Sequence, residues 1–210
     1  MRTVLYLHGF ASSPAGRKIA LLRDALPADE FRVVAPDLNR PSFEKLDFRE
    51  MVAAAVRAAT ADLPAVVVGS SLGAMVALEA IQKGVRAPLV LIAPALGFGQ
   101  RWTENLAPGD PLPFFHHGQN REIAIHRRFF EEMGKVRSDR DAPRERVTIL
   151  MGAKDESVPF DGVYETWRRW EASGALKRGS RFVAIPDGDH GLVEYVDQIA
   201  AEVRAAAATG

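Results

Sequence analysis

Three polar residues, Ser71, Asp155 and His190, each lie in a loop that follows an apolar run typical of a buried strand. Ser71 is the central residue of Gly69–Gly73, which fits the G-x-S-x-G pattern of a nucleophile held on a sharp strand-to-helix turn. A serine hydroxyl is a weak nucleophile near neutral pH, so it needs a general base, and the base needs a buried acid that fixes its tautomer. We predict that His190 is the base and that Asp155 is the acid.

The residues around Ser71 fit such a turn. Small residues are needed at Gly69 and Gly73, because a side chain there would clash with the turn or with the helix packed on it. The following segment, Leu72–Lys83, is rich in helix formers and ends at Gly84. The alternative is an ordinary glycine-rich strand-to-helix turn, and the matching Asp155 and His190 loops argue against it.

A tetrahedral intermediate needs two hydrogen-bond donors on its oxyanion. The first is predicted to be the backbone N–H of Leu72, at the positive end of the helix dipole. The second is predicted to be the N–H of Phe10, in the loop after the strand-like run Val4–Leu7. His8 could act as a second base, but we favour a role in bracing this loop by hydrogen bonds.

Acidic residues near the motifs offer alternatives. Glu156 adjoins Asp155 and could orient His190 instead. Asp187 and Asp189 flank the histidine, and we interpret them as turn formers that bond to their own backbone.

Strand-like and helix-like segments alternate along the chain, which predicts an α/β fold with a doubly wound, mostly parallel six-stranded sheet. The predicted strands are Thr3–Leu7, Phe31–Ala35, Ala65–Val68, Pro88–Ala93, Val147–Met151 and Arg181–Ile185. The predicted helices outside the insertion are Ala15–Leu26, Phe48–Thr60, Leu72–Lys83, Val163–Ala172 and Leu192–Ala208. No repeat or linker divides the chain, so a single domain is predicted over residues 1–210.

One segment, residues 96–145, leaves the alternation and is predicted to be a mainly helical lid inserted above the carboxyl ends of the strands. A helix is predicted from Glu122 to Met133, capped by Asn120 and ended by Gly134. Five aromatic residues are predicted to line an acyl pocket beneath the lid: Trp102, Phe114, Phe115, Phe129 and Phe130. The alternative left open is that they pin the lid to the core.

The histidines of this segment, His116, His117 and His126, do not follow a metal-ligand spacing, and no metal site is predicted. The role of His116 and His117 is left open. The arginines nearby alternate with acidic residues, which favours a solvated charged face over a polyanion site.

Composition is that of an ordinary globular protein, and the small-molecule substrate is predicted from the motifs above. The 27 basic and 27 acidic residues cancel, so no net field favours nucleic acid. The absence of cysteine excludes disulfides and thiolate chemistry. No apolar run approaches a membrane span, and strand residues from Thr3 leave no room for a secretory signal. A cytoplasmic location is therefore predicted, while the oligomeric state is not indicated.

The motifs together resemble the α/β-hydrolase superfamily. Within it, Leu5–Pro14 and Gly69–Gly73 are similar to the small bacterial YqiA-like esterases and to mitochondrial acyl-thioester and acyl-glucuronide hydrolases. The resemblance implies a minimal α/β-hydrolase fold and hydrolysis of esters or thioesters without a cofactor. The spacing from Asp155 to Val158 and Pro159 matches the family pattern on the aspartate, which favours Asp155 over Glu156.

We therefore predict a serine esterase or thioesterase that works through an acyl-enzyme. The same residues could serve a C–C bond hydrolase or an acyltransferase. A third alternative is a ligand-binding protein of the same fold with little turnover. The natural substrate and the length of its acyl chain are not indicated by the sequence.

Overall fold

Six parallel strands form the central sheet. The computed structural model describes residues 1–97 and 106–208. The strands of this sheet, in chain order, are β1 (Arg2–Leu7), β2 (Phe31–Val34), β3 (Val66–Ser70), β4 (Leu89–Ile92), β7 (Val147–Gly152) and β8 (Arg181–Ile185). They lie in the order β2-β1-β3-β4-β7-β8, and each neighbouring pair is parallel. The predicted doubly wound parallel sheet is confirmed, and each strand ends within two residues of its predicted bounds.

Helices cover both faces of this sheet. The helices among the described residues are α1 (Arg17–Ala25), α2 (Phe48–Asp62), α3 (Leu72–Gln82), α4 (Arg127–Met133), α5 (Phe160–Ala172) and α6 (Val196–Ala207), of which α4 belongs to the inserted segment; a short 3₁₀ turn (Val193–Tyr195) precedes α6. No helix in residues 1–97 and 106–208 is both long and apolar enough to span a membrane.

Side chains alternate between the two faces along each central strand, and both faces are buried. In β1, Val4 and Tyr6 join the core formed with α1 and α6, whereas Leu5 and Leu7 join the core formed with α2, α3 and α5. Burial on both faces explains why the central strands read as continuous apolar runs. Because the strands are parallel, the loops that carry Phe10, Ser71, Asp155 and His190 all leave from the same edge of the sheet.

The segment inserted between β4 and β7 forms its own small structure. The strands β5 (Leu112–His116) and β6 (Arg121–Ile125) pair as an antiparallel hairpin, and α4 follows it. From residue 106 onwards, the inserted segment is therefore a hairpin followed by one short helix.

The predicted helix from Glu122 to Met133 is wrong in its first half. Ile123 and Ile125 are both buried, with the two-residue period of a strand, and they pair with β5. Asn120 is not a helix cap, since its φ of 50° places it in the tight turn between the two strands. The helix ends at Gly134, as predicted.

Candidate active site

Ser71 occupies the turn between β3 and α3. Its φ of 53° and ψ of −118° lie outside the favoured regions for a non-glycine residue, a strain that costs about 1–3 kcal/mol. A Cβ at Gly69 would lie 2.6 Å from Ala74 Cα, and one at Gly73 would lie 2.0 Å from the Leu7 carbonyl oxygen. Close approach of the backbone therefore requires glycine at both positions, as predicted.

His190 lies between Ser71 and Asp155. Its Nε2 is 3.2 Å from Ser71 Oγ, and its Nδ1 is 2.8 Å from Asp155 Oδ2. If Asp155 is ionised, its oxygens only accept, so Nδ1 donates and Nε2 can accept the Ser71 hydroxyl proton. The structure thus brings together three residues that are far apart in the sequence.

Asp155 is held in place by its own loop. Its Oδ1 accepts from the N–H of Ser157 at 2.9 Å and from the N–H of Val158 at 2.8 Å, which leaves Oδ2 for His190. The Asp155 side chain is fully buried, whereas Glu156 is exposed. The structure brings Asp155, and not Glu156, to the histidine.

The loops that carry Asp155 and His190 are joined through their backbones. The Lys154 N–H donates to the Gly188 carbonyl oxygen at 2.9 Å. The loops approach so closely that a Cβ at Gly152 would lie 2.3 Å from that same oxygen. This contact fixes the acid and the base relative to each other, and it was not predicted from the sequence.

The two acids beside the histidine differ in role. Asp189 Oδ1 accepts from the Leu192 N–H at 2.7 Å, which is the predicted turn-forming bond. Asp187 instead pairs with Lys154 Nζ at 2.7 Å on the surface.

The two predicted oxyanion donors lie in the segments nearest Ser71. Leu72 is the first residue of α3, so its N–H has no acceptor within the helix. The loop that bears Phe10 passes directly beside the serine, because a Cβ at Gly9 would lie 3.2 Å from Ser71 Cβ. The donor roles themselves stay predictions.

His8 has the bracing position that was predicted. It is buried, its Nδ1 donates to the Gly9 carbonyl oxygen at 2.9 Å, and its Nε2 accepts from the Leu38 N–H at 3.0 Å. With both ring nitrogens engaged, His8 ties the loop after β1 to the segment after β2.

Three of the predicted lid aromatics surround the ring of Phe10. Ring centroids lie 5.3 Å from it for Phe114, 6.2 Å for Phe129 and 6.0 Å for Phe130. Phe129 and Phe130 are buried in the core, so they have the pinning contacts that were left open as the alternative. Their substrate-binding role stays a prediction.

The other two predicted pocket aromatics lie elsewhere. The side chain of Phe115 is exposed and contacts the ring of His117 at 5.3 Å. Trp102 lies outside the residues that the structure describes.

A pocket of about 160 Å³ opens beside Ser71. Phe10 and Ile19 line its apolar part, while Lys18 and Ser70 line its polar part. Among the described residues that line it, none of the predicted lid aromatics occurs.

Lys18 is the functional candidate that sequence reasoning missed. Its Nζ donates to Ser70 Oγ at 3.1 Å, and burial lowers its pKa to about 8 against the opposing pull of Asp189 and Asp155. One signal was available, since Lys18 lies one helical turn before the buried Leu22 and so on the inner face of α1.

The histidines of the inserted segment contact different partners. His116 is buried edge-on against Phe43, with ring centroids 4.4 Å apart, whereas His126 Nδ1 lies 3.2 Å from Asp110 Oδ1 on the surface. Within residues 1–97 and 106–208, no group of three or more candidate ligands could hold a metal ion.

Solved structures share this architecture. Est1E from Butyrivibrio proteoclasticus, solved with ferulic acid bound, is 16% identical, with a TM-score of 0.72 over 98% of this chain and 90% of that one. The esterase domain of a Rhodothermus marinus protein is 19% identical, with a TM-score of 0.70 over 98% and 88%. Mouse alpha/beta hydrolase domain-containing protein 10 is also 19% identical, with a TM-score of 0.65 over 97% and 87%. At these identities the likeness establishes the α/β-hydrolase fold.

Sequence comparison gives the family. None of the curated proteins matches the chain. The sequence profile of an uncharacterised protein family, UPF0227, matches residues 3–200, a span that includes Ser71, Asp155 and His190. The chain therefore belongs to the uncharacterised protein family UPF0227, and it has the fold of the α/β hydrolases.

Proposed function

We propose that the protein is a serine hydrolase that cleaves carboxylic ester or thioester bonds through an acyl-enzyme. The observation that carries the proposal is the position of His190, within hydrogen-bond reach of both Ser71 Oγ and Asp155 Oδ2. An acyl-transfer nucleophile needs this pairing of hydroxyl, imidazole and buried carboxylate.

In the proposed mechanism, Ser71 Oγ attacks the carbonyl carbon while His190 Nε2 takes the hydroxyl proton. The N–H groups of Phe10 and Leu72 stabilise the oxyanion, and removal of one such donor typically costs about 10²–10³ in turnover. His190 then gives its proton to the leaving alkoxide or thiolate, and the acyl-enzyme remains. Water then attacks the acyl carbon while His190 takes one of its protons; the bond to Ser71 Oγ breaks, His190 returns the proton to Oγ, and the carboxylic acid is released.

Asp155 has an electrostatic role in this proposal. The buried carboxylate holds Nδ1–H of His190 and so selects the tautomer with a free Nε2. It also stabilises the imidazolium that forms after proton transfer.

The pocket volume indicates small substrates. Sites for drug-sized ligands measure about 300–1,000 Å³, and the pocket beside Ser71 holds about 160 Å³. We therefore expect short acyl groups to react faster than long ones.

The test is hydrolysis of p-nitrophenyl esters from acetate to palmitate, beside the matching acyl-CoA thioesters, by the wild type and by Ser71→Ala. We expect activity that is highest at short chains and that falls by at least about 10³-fold in the variant, since the nucleophile is lost. Thermal unfolding of Ser71→Ala at the wild-type midpoint serves as the control for folding.

Labelling by a fluorophosphonate separates the outcomes. Turnover of neither series, with no labelling of Ser71, contradicts the proposal. Labelling without turnover also contradicts the esterase activity, and it favours acyl transfer, C–C hydrolysis or ligand binding by the same residues.

A further inference from the structure

An ammonium group lies in the pocket beside Ser71. Lys18 extends from the second residue of α1 across the carboxyl edge of the sheet, where its Nζ donates to Ser70 Oγ at 3.1 Å. It lines the same small pocket as Ser71 and His190. The proposed mechanism does not use this charge.

Groups from every neighbouring element face Lys18. They are Tyr6 on β1, His8 in the loop after β1, Ser70 on β3, Asp155 after β7, and Asp189 and His190 after β8. The two carboxylates among them are already occupied, since Asp155 bonds to His190 and Asp189 bonds to the Leu192 N–H. Among the described residues, Lys18 forms no ion pair.

This arrangement leaves the ammonium incompletely satisfied. Of its three N–H donors, one has a partner among the described residues, and that partner is a neutral hydroxyl. Desolvation of the ammonium is costly, and its lowered pKa reflects that cost, because Asp189 and Asp155 attract the charge only from beyond ion-pair distance and do not offset it. A bound anion would supply both the missing acceptors and the missing charge.

We propose that Lys18 binds a carboxylate carried by the substrate, so that the enzyme prefers esters with a carboxylate close to the scissile bond. The proposal rests on the serine hydrolase function and names a substrate class for it. Since the pocket is small and contains both the ammonium and Ser71, only a few bonds separate the carboxylate from the carbonyl.

A purely structural role is the competing explanation. Lys18 could support Ser70 and thereby the turn that carries Ser71. Such a role would lower the hydrolysis of all esters by the same factor, whereas charge recognition acts on anionic esters alone. The ratio of two kcat/KM values therefore separates the two explanations.

Two pairs of esters differ only in a carboxylate replaced by an isopropyl group of the same shape. Monoethyl succinate and ethyl 4-methylpentanoate place the difference on the acyl side. The second pair, 3-acetoxypropanoate and 3-methylbutyl acetate, places the difference on the alcohol side. For each pair, the measured quantity is kcat/KM of the anionic ester divided by kcat/KM of the neutral one.

We expect the wild-type ratio to exceed one in at least one pair. A hydrogen bond to a charged group contributes about 1.5–3 kcal/mol, so Lys18→Met should lower that ratio about 10-fold to 100-fold. Lys18→Arg keeps the charge and should retain part of the preference. Lys83→Met removes an exposed ammonium at the far end of α3 and should leave the ratio unchanged.

The wild type alone provides a second measurement, which keeps the test valid if the Lys18 variants fail to fold. The pKa of Lys18 is about 8, so the ratio should decline as the pH rises through that value and the ammonium loses its proton. Any pH dependence of the chemical steps shared by both esters of a pair cancels in the ratio.

The overturning results are distinct. The carboxylate site is overturned if the wild-type ratio is near or below one in both pairs. It is also overturned if Lys18→Met loses the same factor in kcat/KM for both esters of a pair. In either case, hydrolysis of the neutral esters still supports the serine hydrolase. Failure to hydrolyse any ester, with Ser71 unlabelled by fluorophosphonate, overturns both proposals.

Discussion

The two sides of Ser71 are held by different kinds of contact. On one side, the turn at Ser71 and the loops of Asp155 and His190 are fixed by backbone atoms that approach too closely for any side chain at Gly73 or Gly152. On the other side, the loop after β1 is fixed by side chains and by the inserted segment. The ring of Phe10 lies among the lid aromatics, and the His117 N–H donates to the Ala11 carbonyl oxygen at 2.9 Å.

The first side, which holds the Ser71 turn and the loops of Asp155 and His190, is the rigid side. The second, which holds the loop after β1 and the inserted segment, is the adjustable side. A Cβ added at Gly73 or Gly152 would lie 2.0 Å or 2.3 Å from the nearest backbone atom, a clash that no change of rotamer relieves, so the rigid side tolerates no substitution there. Aromatic packing is distributed over several rings and tolerates partial loss. The predicted nucleophile, base and acid belong to the first side, and one predicted oxyanion donor belongs to the second.

The largest effect is expected from Gly73→Ala. The new Cβ would lie 2.0 Å from the Leu7 carbonyl oxygen, so either α3 or β1 must move, and we expect a loss of more than about 4 kcal/mol in the free energy of unfolding. Chemical denaturation gives this quantity, and ester hydrolysis should be lost with it.

The matched control is Gly162→Ala on α5. A Cβ at Gly162 meets nothing within 4 Å, so the same substitution should raise the free energy of unfolding by about 0.4–1 kcal/mol. Equal effects of the two substitutions would contradict the assignment of close backbone contact to the Ser71 turn.

An intermediate effect is expected from Phe130→Ala on the adjustable side. The Phe130 side chain is fully buried against Phe10 and Phe114, and truncation of such a ring costs about 3–5 kcal/mol. Amide hydrogen exchange in residues 8–13 should become faster, because the loop loses part of its support.

Phe115→Ala is the control within the same segment. Its ring is largely exposed, so truncation should change the free energy of unfolding by less than about 0.5 kcal/mol. If exchange in residues 8–13 is unchanged in Phe130→Ala, the inserted segment does not support the loop.

The smallest effect is a pH dependence of the adjustable side. Burial lowers the pKa of His116 below its ordinary value of 6.5, so the folded protein resists protonation there while the unfolded chain does not. The unfolded state therefore binds more protons in this range, and stability falls as the pH drops through about 6.5.

Denaturation midpoints between pH 8 and pH 5 measure this slope. His116→Gln removes the titrating group and should flatten the curve, whereas His117→Gln at the exposed neighbouring position should not. A curve of equal steepness in wild type and His116→Gln would show that other groups control the acid sensitivity.

The rigid side was largely predictable from the sequence and the adjustable side was not. Runs such as Val66–Val68 are recognisable because a strand buried on both faces needs apolar residues at every position. The glycines of the Ser71 turn are recognisable because a side chain at Gly69 or Gly73 would clash with the neighbouring backbone. No local pattern, however, shows that the loop of Gly152 touches that of Gly188, since this contact arises only when β7 and β8 are paired.

The errors arose where a local signal had two meanings. Asn120 before Arg121 and Glu122 resembles a helix cap, but Asn also adopts the positive φ of a tight turn. A lysine in α1 resembles a solvent-exposed helix residue, and only the position of α1 above the sheet edge brings the half-buried Lys18 beside Ser71. In both cases the tertiary contacts decide the role of the residue.

The place of the insertion has an evolutionary consequence. The chain leaves β4 at the carboxyl edge of the sheet and returns through the inserted segment to the opposite edge, where the parallel strand β7 begins. Added residues there cost little loop-closure entropy and leave the sheet register intact. The length and sequence of this segment can therefore change during evolution without disturbing the sheet, provided that the new segment still presents apolar surface to Phe10.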